Sequence, residues 1–433
     1  MAMDGKELVE KLAKLSQVQS IKDIPQLTHA LFPGTHCPLM GAAMAVGGIK
    51  DSLIVVVGTD ECTYYTKSMT IHSEKFGGID GRCVSVVLDD HDVTFGSAEK
   101  VQGAFKEIIE EYRPQCVFLV TTCVIEIIGD DFDAISEGLS ELYGIPVLPV
   151  HTEHFKCEDH LPGLERTITV CAEMMKSCDS DNSVNLLGQR MGDFATTELY
   201  AMLQKAGVKI GLQLPCGCSV DDIKNAAAAK VNIVVNDIAL PLAQKMQEKF
   251  GIPYVYFNKF VIPEKIYEVY KNLFGYLELE LPGELEGLYQ NAREKIEKNK
   301  GELEGITYIY GNTPYAVFEM NCFLSSLGMV PLVIQTNRYT EADEPYAKEI
   351  LQYTDPYVCK AANIAPLQYV YDVLSPYLYL GHEFGNRLRQ KGIAIVHSDR
   401  ASGMLGFEVT GYLLQQLVKS VREAKEYRKE LCL

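Results

Sequence analysis

Residues 117–131 read VFLVTTCVIEIIGDD, an apolar run that ends in two threonines and a cysteine. Its first part, with Cys116 before it, is short and rich in β-branched residues, which is typical of a buried strand. Similar runs separated by helical stretches surround it: strands at 53–57, 84–88 and 147–150, and helices at 100–112 and 131–143. Because strands that alternate with helices form parallel sheets, this part of the chain predicts a sheet of βαβ units.

The same alternation restarts twice further along the chain. The second block has predicted strands at 183–187, 208–212, 232–235 and 253–257, and helices at 193–206, 220–229 and 240–250. A charged helical span at 282–300 leads to a third block, with strands at 306–310 and 331–335 and helices at 315–327 and 344–351. We therefore predict an α/β fold of three Rossmann-like domains, each a parallel sheet flanked by helices. The predicted domains are 1–182 (including an N-terminal helix), 183–300 (with the connector helix) and 301–405, followed by a C-terminal helix, 406–433, that packs back on the body.

Composition limits the classes of function. The chain has 433 residues, of which 47% are hydrophobic and 23% charged, which is typical of a globular protein. Its net charge of −18 argues against a nucleic-acid partner, since phosphate binding relies on concentrated Lys and Arg. No apolar run is long enough to span a membrane, and the N-terminus lacks an apolar signal core, so we expect a cytoplasmic protein without a membrane partner.

Neither common phosphate-binding loop occurs in the sequence. There is no G-x-x-x-x-G-K-[ST], and no G-x-G-x-x-G follows a predicted strand. If the chemistry of this protein needs ATP, another protein must therefore hydrolyse it.

Thirteen cysteines are more than packing alone requires, and three of them occupy similar positions. Cys37 precedes a helix of small residues, and Cys62 and Cys123 each follow a predicted strand. Ligands of open α/β sheets bind at the carboxyl edge of the strands, and soft thiolates suit iron. The three thiols therefore predict an iron–sulfur cluster; the alternative is that they pack in the core as small hydrophobic residues.

A second pair of cysteines, Cys216 and Cys218, lies in QLPCGCSVDD, between a predicted strand and a helix. A thiol near a helix N-terminus has a lowered pKa, which suits metal ligation. The pair is thus an additional candidate for metal binding. The alternative is a tight glycine turn that carries two incidental thiols.

Four motifs in the first block resemble the nitrogenase component 1 family, most closely the β subunit of its molybdenum–iron protein. They are HCPLMGAAMAVGGI (36–49), GTDECTYY (58–65), TTCVIEIIGDD (121–131) and VHTEHF (150–155). The resemblance continues through NLLGQRMGDFATTELYAMLQKAGVKI (185–210), IYGNTPYAVFEMNCFLSSLGMVPL (309–332) and LGFEVTGYLLQQLV (405–418). It therefore covers nearly the whole chain.

The resemblance implies a cofactor and partners. Cys37, Cys62 and Cys123 match the family's three cysteines that hold the P-cluster, an 8Fe–7S cluster, or its simpler 4Fe–4S counterpart. That cluster bridges two subunits, which implies a homodimer, or a heterodimer or heterotetramer with a homologous component 1 subunit. It also implies a separate ATP-hydrolysing iron protein as electron donor, consistent with the missing phosphate loop. Glu126 and Asp130, in the same motif, are expected either to have a structural role or to support the ligands.

The departures from the family pattern bear on activity. Catalytic α subunits of the family hold a large metal cofactor through a cysteine after a second-domain strand and a histidine in the third domain. Asn236 occupies the position of that cysteine. His382 and His397 lie in the region where the histidine is expected, but no motif aligns either of them with it. The sequence assigns no catalytic residue and no substrate.

We therefore predict a nitrogenase-like oxidoreductase subunit that passes electrons from an iron protein, through an iron–sulfur cluster, to a substrate or cofactor in an interdomain cleft. The alternatives are a scaffold for assembly of a nitrogenase-type metal cluster and a subunit of a tetrapyrrole reductase.

Overall fold

A computed structural model describes residues 4–27, 36–71, 81–157, 159–190, 192–311, 313–360 and 364–432. These residues form three open sheets, largely of parallel strands and flanked by helices, as predicted. In the described part of the chain, no helix combines the length and the apolar character needed to cross a bilayer.

The first sheet is built from strands of the N-terminal third of the chain. The elements there are α1 (Gly5–Glu10), β1 (Ala13–Lys14), α2 (Pro38–Gly47), β2 (Ile49–Lys50), β3 (Ser52–Gly58), α3 (Asp60–Ile71), β4 (Cys83–Val87), α4 (Asp90–Phe95), α5 (Ala98–Tyr112), β5 (Cys116–Thr121), α6 (Cys123–Ile128), α7 (Phe132–Tyr143), β6 (Val147–Val150) and α8 (Leu161–Val170). The sheet has the order β4-β3-β5-β6, with all neighbours parallel. Every residue of β3 and β5 is buried, which explains their continuous apolar sequence.

The second sheet follows in the middle of the chain. Its region contains β7 (Val184–Gln189), α9 (Glu198–Lys205), β8 (Ile210–Pro215), β9 (Cys218–Ser219), α10 (Val220–Lys224), β10 (Val231–Val234), α11 (Leu240–Phe250), β11 (Tyr254–Tyr256), α12 (Pro263–Leu277) and α13 (Leu285–Leu303). The sheet order is β11-β10-β7-β8, again parallel. The short strand β9 pairs instead with β2 and so joins the first two blocks.

The third sheet has six strands. Its elements are β12 (Thr307–Tyr310), α14 (Val317–Ser326), β13 (Val330–Gln335), α15 (Glu344–Ile350), β14 (Tyr357–Cys359), α16 (Ile364–Leu374), β15 (Leu378–Leu380), α17 (Gly385–Arg389), β16 (Ala394–Val396) and α18 (Phe407–Leu431). The order is β1-β14-β13-β12-β15-β16, and only β1 is antiparallel to its neighbour. Helix α18 buries one side, including Val409, Leu413 and Leu417, in the core of this sheet.

The N-terminal segment differs from the prediction, which placed its helix in the first domain. Ala13 and Lys14 pair with Val358 and Tyr357 at the edge of the third sheet. Leu8, in α1, packs in the same apolar core as residues of β12 and β13. The apolar face of this segment is thus covered by the last sheet of the chain rather than by the first.

Candidate functional site

Cys62 and Cys123 lie at one edge of the first sheet. Strands β3 and β5 are parallel neighbours, with Val57 opposite Thr121, so the chain leaves both strands at the same edge. Cys62 lies in the first turn of α3, and Cys123 is the first residue of α6. Gly58 permits this arrangement, since a Cβ there would stand 2.1 Å from the Thr122 Oγ1.

Cys37 reaches this edge by helix packing rather than from a strand. It is the N-cap residue of α2, directly before Pro38. Helix α2 lies against α8 at the closest distance that glycine allows: a Cβ on Gly163 would stand 1.9 Å from the Pro38 carbonyl oxygen, and one on Gly41 equally near the His160 carbonyl oxygen. The position of Cys37 therefore depends on this helix pair.

The three thiols are near enough to influence one another. All three are partly exposed. Burial raises the pKa of Cys123, and the charges of Cys62 and Cys37 raise it further, while backbone N–H groups at the start of α6 oppose the change. The Thr59 hydroxyl lies 3.6 Å from the Cys62 sulfur and donates to it. The predicted convergence of the thiols on one edge is thus consistent with the electrostatics of Cys123.

No three Cys, His, Asp or Glu side chains among the described residues are arranged to hold a single metal ion. An iron–sulfur cluster requires a different arrangement of ligands, because each thiolate binds its own iron and the cysteine sulfurs stay apart. The donor set at this edge, three thiols, fits a cluster by its chemistry.

Glu126 and Asp130 fix the backbone around Cys123. The Glu126 Oε1 accepts hydrogen bonds from the Thr121 hydroxyl (2.7 Å), the Thr152 hydroxyl (3.1 Å) and the Glu153 N–H (2.6 Å). The Asp130 Oδ2 accepts from the Ser97 N–H (2.7 Å) and hydroxyl (2.5 Å). These contacts show the structural role expected for both carboxylates.

Glu126→Ala is expected to lower the free energy of unfolding by about 1–3 kcal/mol, because it leaves several donors at the sheet edge without an acceptor. Glu126→Gln keeps an acceptor oxygen and is expected to cost less than about 1 kcal/mol. Urea denaturation of both variants measures the difference. Equal losses would show that the hydrogen bonds of Glu126 do not hold this edge together.

The predicted lowering of the thiol pKa at Cys216 and Cys218 is wrong. Cys218 lies in β9, is buried in an apolar core, and has its pKa raised to about 12 by that burial. Burial also raises the pKa of Cys216, against the charge of Arg190, and its thiol donates to the Arg190 carbonyl oxygen (3.3 Å). For both thiols burial outweighs the effect of the helix end. A ligand role for this pair stays a prediction.

The residues at the positions of the family's cofactor ligands have other contacts. Asn236 accepts a hydrogen bond from the Ile238 N–H (3.2 Å) and caps a turn after β10. His382 is exposed and lies 3.3 Å from the exposed Asp399. His397 is exposed, and its carbonyl oxygen accepts from the Tyr412 hydroxyl.

Three basic residues that were not predicted from the sequence follow strands of the second and third sheets. Arg190 directly follows β7, Lys259 follows β11, and Arg338 follows β13. Each is close enough to another to lower a pKa: Arg190 acts on Lys259, and Arg338 acts on Arg190. Of the three, Lys259 is buried, Arg190 is half-buried and Arg338 is exposed. The burial of Lys259 depends on the packing of distant segments.

Comparison with known proteins agrees with this architecture. Residues 37–422 match the family model described as nitrogenase component 1 type oxidoreductase. The chain belongs to this family. The matched range begins at Cys37 and includes every strand of the three sheets except β1. The resemblance first indicated by the cysteine motifs is thus confirmed.

Similar curated proteins carry two kinds of name. The nitrogenase iron-molybdenum cofactor biosynthesis protein NifE of Clostridium pasteurianum is 31% identical over 51% of this chain and 49% of its own length. NifE of Rippkaea orientalis is 25% identical over 73% of this chain and 69% of its own. The nitrogenase molybdenum-iron protein alpha chain of Methanosarcina barkeri is 23% identical over 78% and 66%. The alignment thus spans about half the length of the Clostridium relative.

A solved structure supports the fold independently. The structure titled "Nitrogenase Cp1 at pH 6.5" superposes with a TM-score of 0.77 over 92% of this chain and 94% of that chain, at 15% identity. The predicted fold of parallel sheets flanked by helices, of the nitrogenase component 1 kind, is confirmed.

Proposed function

We propose that this chain is a redox subunit of a two-component system, which holds an iron–sulfur cluster through Cys37, Cys62 and Cys123. The observation that carries the proposal is the meeting of three partly exposed thiols at the carboxyl edge of the first sheet. In this proposal a separate ATP-hydrolysing iron protein is the electron donor, because the sequence has no phosphate-binding loop of its own.

The chain's own residues prepare the site for an electron-transfer group. A bound iron–sulfur cluster supplies one-electron redox chemistry at a potential set by its surroundings. Cys37 is the N-cap residue of α2, and Cys62 lies in the first turn of α3. Three neighbouring thiolates repel one another, and bound iron cations remove that repulsion.

The exposed side chains around the thiols favour the proposal that a partner subunit covers them. The side chains of Tyr64, Tyr65 and Ile127 follow Cys62 and Cys123 and are 73%, 59% and 71% exposed. Large apolar side chains exposed together indicate an interaction surface. Three thiols also leave a four-iron cluster one ligand short, so a partner supplies the rest; it is either a second copy or a homologous component 1 subunit.

The test is iron and acid-labile sulfide per chain in anaerobically purified protein, with the oligomeric mass measured on the same sample. Cys123→Ala is expected to lose most of the iron. Cys178→Ala removes an exposed thiol from a loop and is the matched control, expected to keep the iron content of the wild type. The proposal fails if reconstituted wild-type protein binds no iron, or if Cys123→Ala binds as much as Cys178→Ala.

The iron count also addresses the type of cluster. About two irons per chain in a homodimer indicate one bridging 4Fe–4S cluster. About four per chain fit either a bridging P-cluster-like group or one 4Fe–4S cluster in each subunit, and electron paramagnetic resonance separates these two cases.

A scaffold for cluster assembly is the second candidate, and the names of the NifE relatives favour it. The two functions differ in the fate of the bound metal. A scaffold transfers its iron to an acceptor protein, whereas a redox subunit keeps its iron while it oxidises a reduced, ATP-supplied iron protein. Iron retained on the chain through repeated reduction supports the redox function, and iron released to an acceptor supports the scaffold.

A further inference from the structure

Glu153 has an unusual backbone conformation for a residue other than glycine. Its φ of 44° and ψ of 47° lie in the left-handed region, which a residue with a Cβ rarely adopts. It lies in the loop that follows β6 and directly precedes the short helical turn His154–Lys156. Such a conformation is kept only where the surrounding contacts fix the residue.

The backbone of Glu153 is bonded to the helix that begins at Cys123. Its N–H donates to the Oε1 of Glu126, which lies one turn after Cys123 in α6 (2.6 Å). The preceding residue adds a second bond, from the Thr152 hydroxyl to the same oxygen (3.1 Å). These two bonds fix the loop after β6 against α6.

The side chain of Glu153 is bonded to α8 instead. Its Oε2 lies 2.5 Å from the Arg166 Nη2. The Arg166 Nη1 donates to the Thr152 carbonyl oxygen (2.6 Å), so one guanidinium holds two successive residues of the loop. Both charged side chains are partly buried, where salt screens an ion pair less than it does on an open surface.

Helix α8 is packed in turn against the helix that follows Cys37. Arg166 lies one turn after Gly163, which makes the close contact with Pro38 of α2. Pro38 is the residue next to Cys37. A continuous series of contacts therefore connects the helix that begins at Cys123 with the one that follows Cys37, and the ion pair between the loop and α8 is its middle step.

We propose that Glu153 and Arg166 are positioning residues of the cluster site, which fix the separation between Cys123 and Cys37. Neither residue binds the cluster itself. The inference rests on the proposed function, since it concerns how the thiols are held for iron. Contacts that hold metal ligands in their binding geometry commonly strengthen metal binding by about 10–100-fold.

Lys156 offers a matched control within the same loop. Its Nζ lies 2.5 Å from the Glu153 Oε1, so Lys156 and Arg166 contact the same carboxylate. Lys156 belongs to the loop itself and is mostly exposed, whereas Arg166 comes from α8. Each Met substitution thus removes one positive charge from Glu153, but only Arg166→Met breaks the connection to α8.

The test is the rate at which a ferrous chelator removes iron from anaerobically reconstituted full-length protein. Arg166→Met is expected to lose iron about tenfold faster than the wild type, and Lys156→Met at the wild-type rate. Arg166→Lys keeps a cation opposite Glu153 and is expected to recover part of the difference. The electron paramagnetic resonance spectrum of the reduced cluster is expected to change in Arg166→Met and not in Lys156→Met, because altered ligand geometry changes the cluster itself.

Glu153→Gly separates positioning from stability. Glycine adopts the left-handed conformation readily, so the variant is expected to fold and to keep the N–H bond to Glu126 while it loses the ion pair. It should therefore release iron about as fast as Arg166→Met. The double variant Glu153→Gly/Arg166→Met should release iron no faster than Arg166→Met alone, because both changes break the same contact.

The possible failures are distinguishable. Equal rates of iron loss from Arg166→Met and Lys156→Met would overturn this inference and leave the proposed function intact, since the wild type would still bind iron. A double variant whose effect is the product of the two single effects would also overturn it, because Glu153 and Arg166 would then act independently. A wild type that binds no iron after reconstitution would overturn the proposed function, and this inference with it.

Discussion

Gly163→Ala is expected to destabilise the protein by about 3 kcal/mol, although the same change normally stabilises a helix. The added Cβ would stand 1.9 Å from the Pro38 carbonyl oxygen and within 2.8 Å of two further Pro38 backbone atoms. Because backbone atoms cannot rotate away, α2 must shift from α8. Most of α2 is buried, so the shift disturbs the core that this helix shares with the first two sheets.

Gly138→Ala is the matched control for this experiment. Gly138 lies inside α7, and a Cβ there would meet nothing within 4 Å. It is expected to raise stability by about 1 kcal/mol through helix propensity alone. Urea denaturation of the two variants should therefore give shifts of opposite sign. Shifts of the same sign would mean that α2 and α8 can separate without cost.

The same pair of variants connects stability with the proposed cluster. Displacement of the start of α2 moves Cys37, so folded Gly163→Ala protein is expected to hold less iron than Gly138→Ala. Equal iron in the two variants would show that Cys37 is not held in place by this helix contact.

Regular elements of the fold were predictable where the local pattern alone determines them. The strand at 147–150 and the helix at 240–250 have the predicted bounds, because a short apolar run and a periodic apolar face each suit one conformation. The N-terminal segment, predicted as part of the first domain, packs instead on the third sheet. Its apolar residues show that it packs on something, and the pairing of Lys14 with Tyr357 is set by residues more than three hundred positions away.

The candidate site, too, was predictable only where local pattern determines it. Placement of Cys62 and Cys123 at one edge follows from parallel strands, which a single sequence indicates well. Cys37 reaches that edge through Gly41 and Gly163, whose role is visible only when the two helices are packed together. The burial of Lys259 has no signal in the sequence, since a lysine after a short strand is ordinarily exposed.

Glu198 joins the second sheet region to the C-terminal helix. It begins α9, and its carboxylate accepts hydrogen bonds from the Phe407 N–H (3.0 Å), the Glu408 N–H (3.2 Å) and the Tyr270 hydroxyl (3.0 Å). Glu408 in turn accepts from the Glu198 N–H (3.2 Å). Gly406, with φ of 103°, leaves room for this carboxylate, since a Cβ there would stand 2.3 Å from the Glu198 Oε1.

This environment predicts a loss of stability as the pH rises. Burial raises the pKa of Glu198 from 4.5 to about 7, and the charge of Glu408 contributes, although the three hydrogen bonds oppose it. The folded state thus binds the proton more tightly than the unfolded state does. The stabilisation is complete below about pH 4.5 and is lost as the pH rises through about 7, a change of roughly 3 kcal/mol.

Glu198→Gln is expected to remove this pH dependence, because an amide does not titrate. Relative to the wild type, the variant should gain roughly 3 kcal/mol in free energy of unfolding between pH 4.5 and pH 8, measured by urea denaturation at both values. Glu107→Gln, on the exposed side of α5, removes one charge elsewhere and serves as the control. Glu198→Ala leaves two N–H groups and a hydroxyl unpaired and should cost about 1–3 kcal/mol at low pH. If Glu198→Gln and Glu107→Gln change equally with pH, Glu198 is ionised throughout the range, and its contacts with α18 act only as hydrogen bonds.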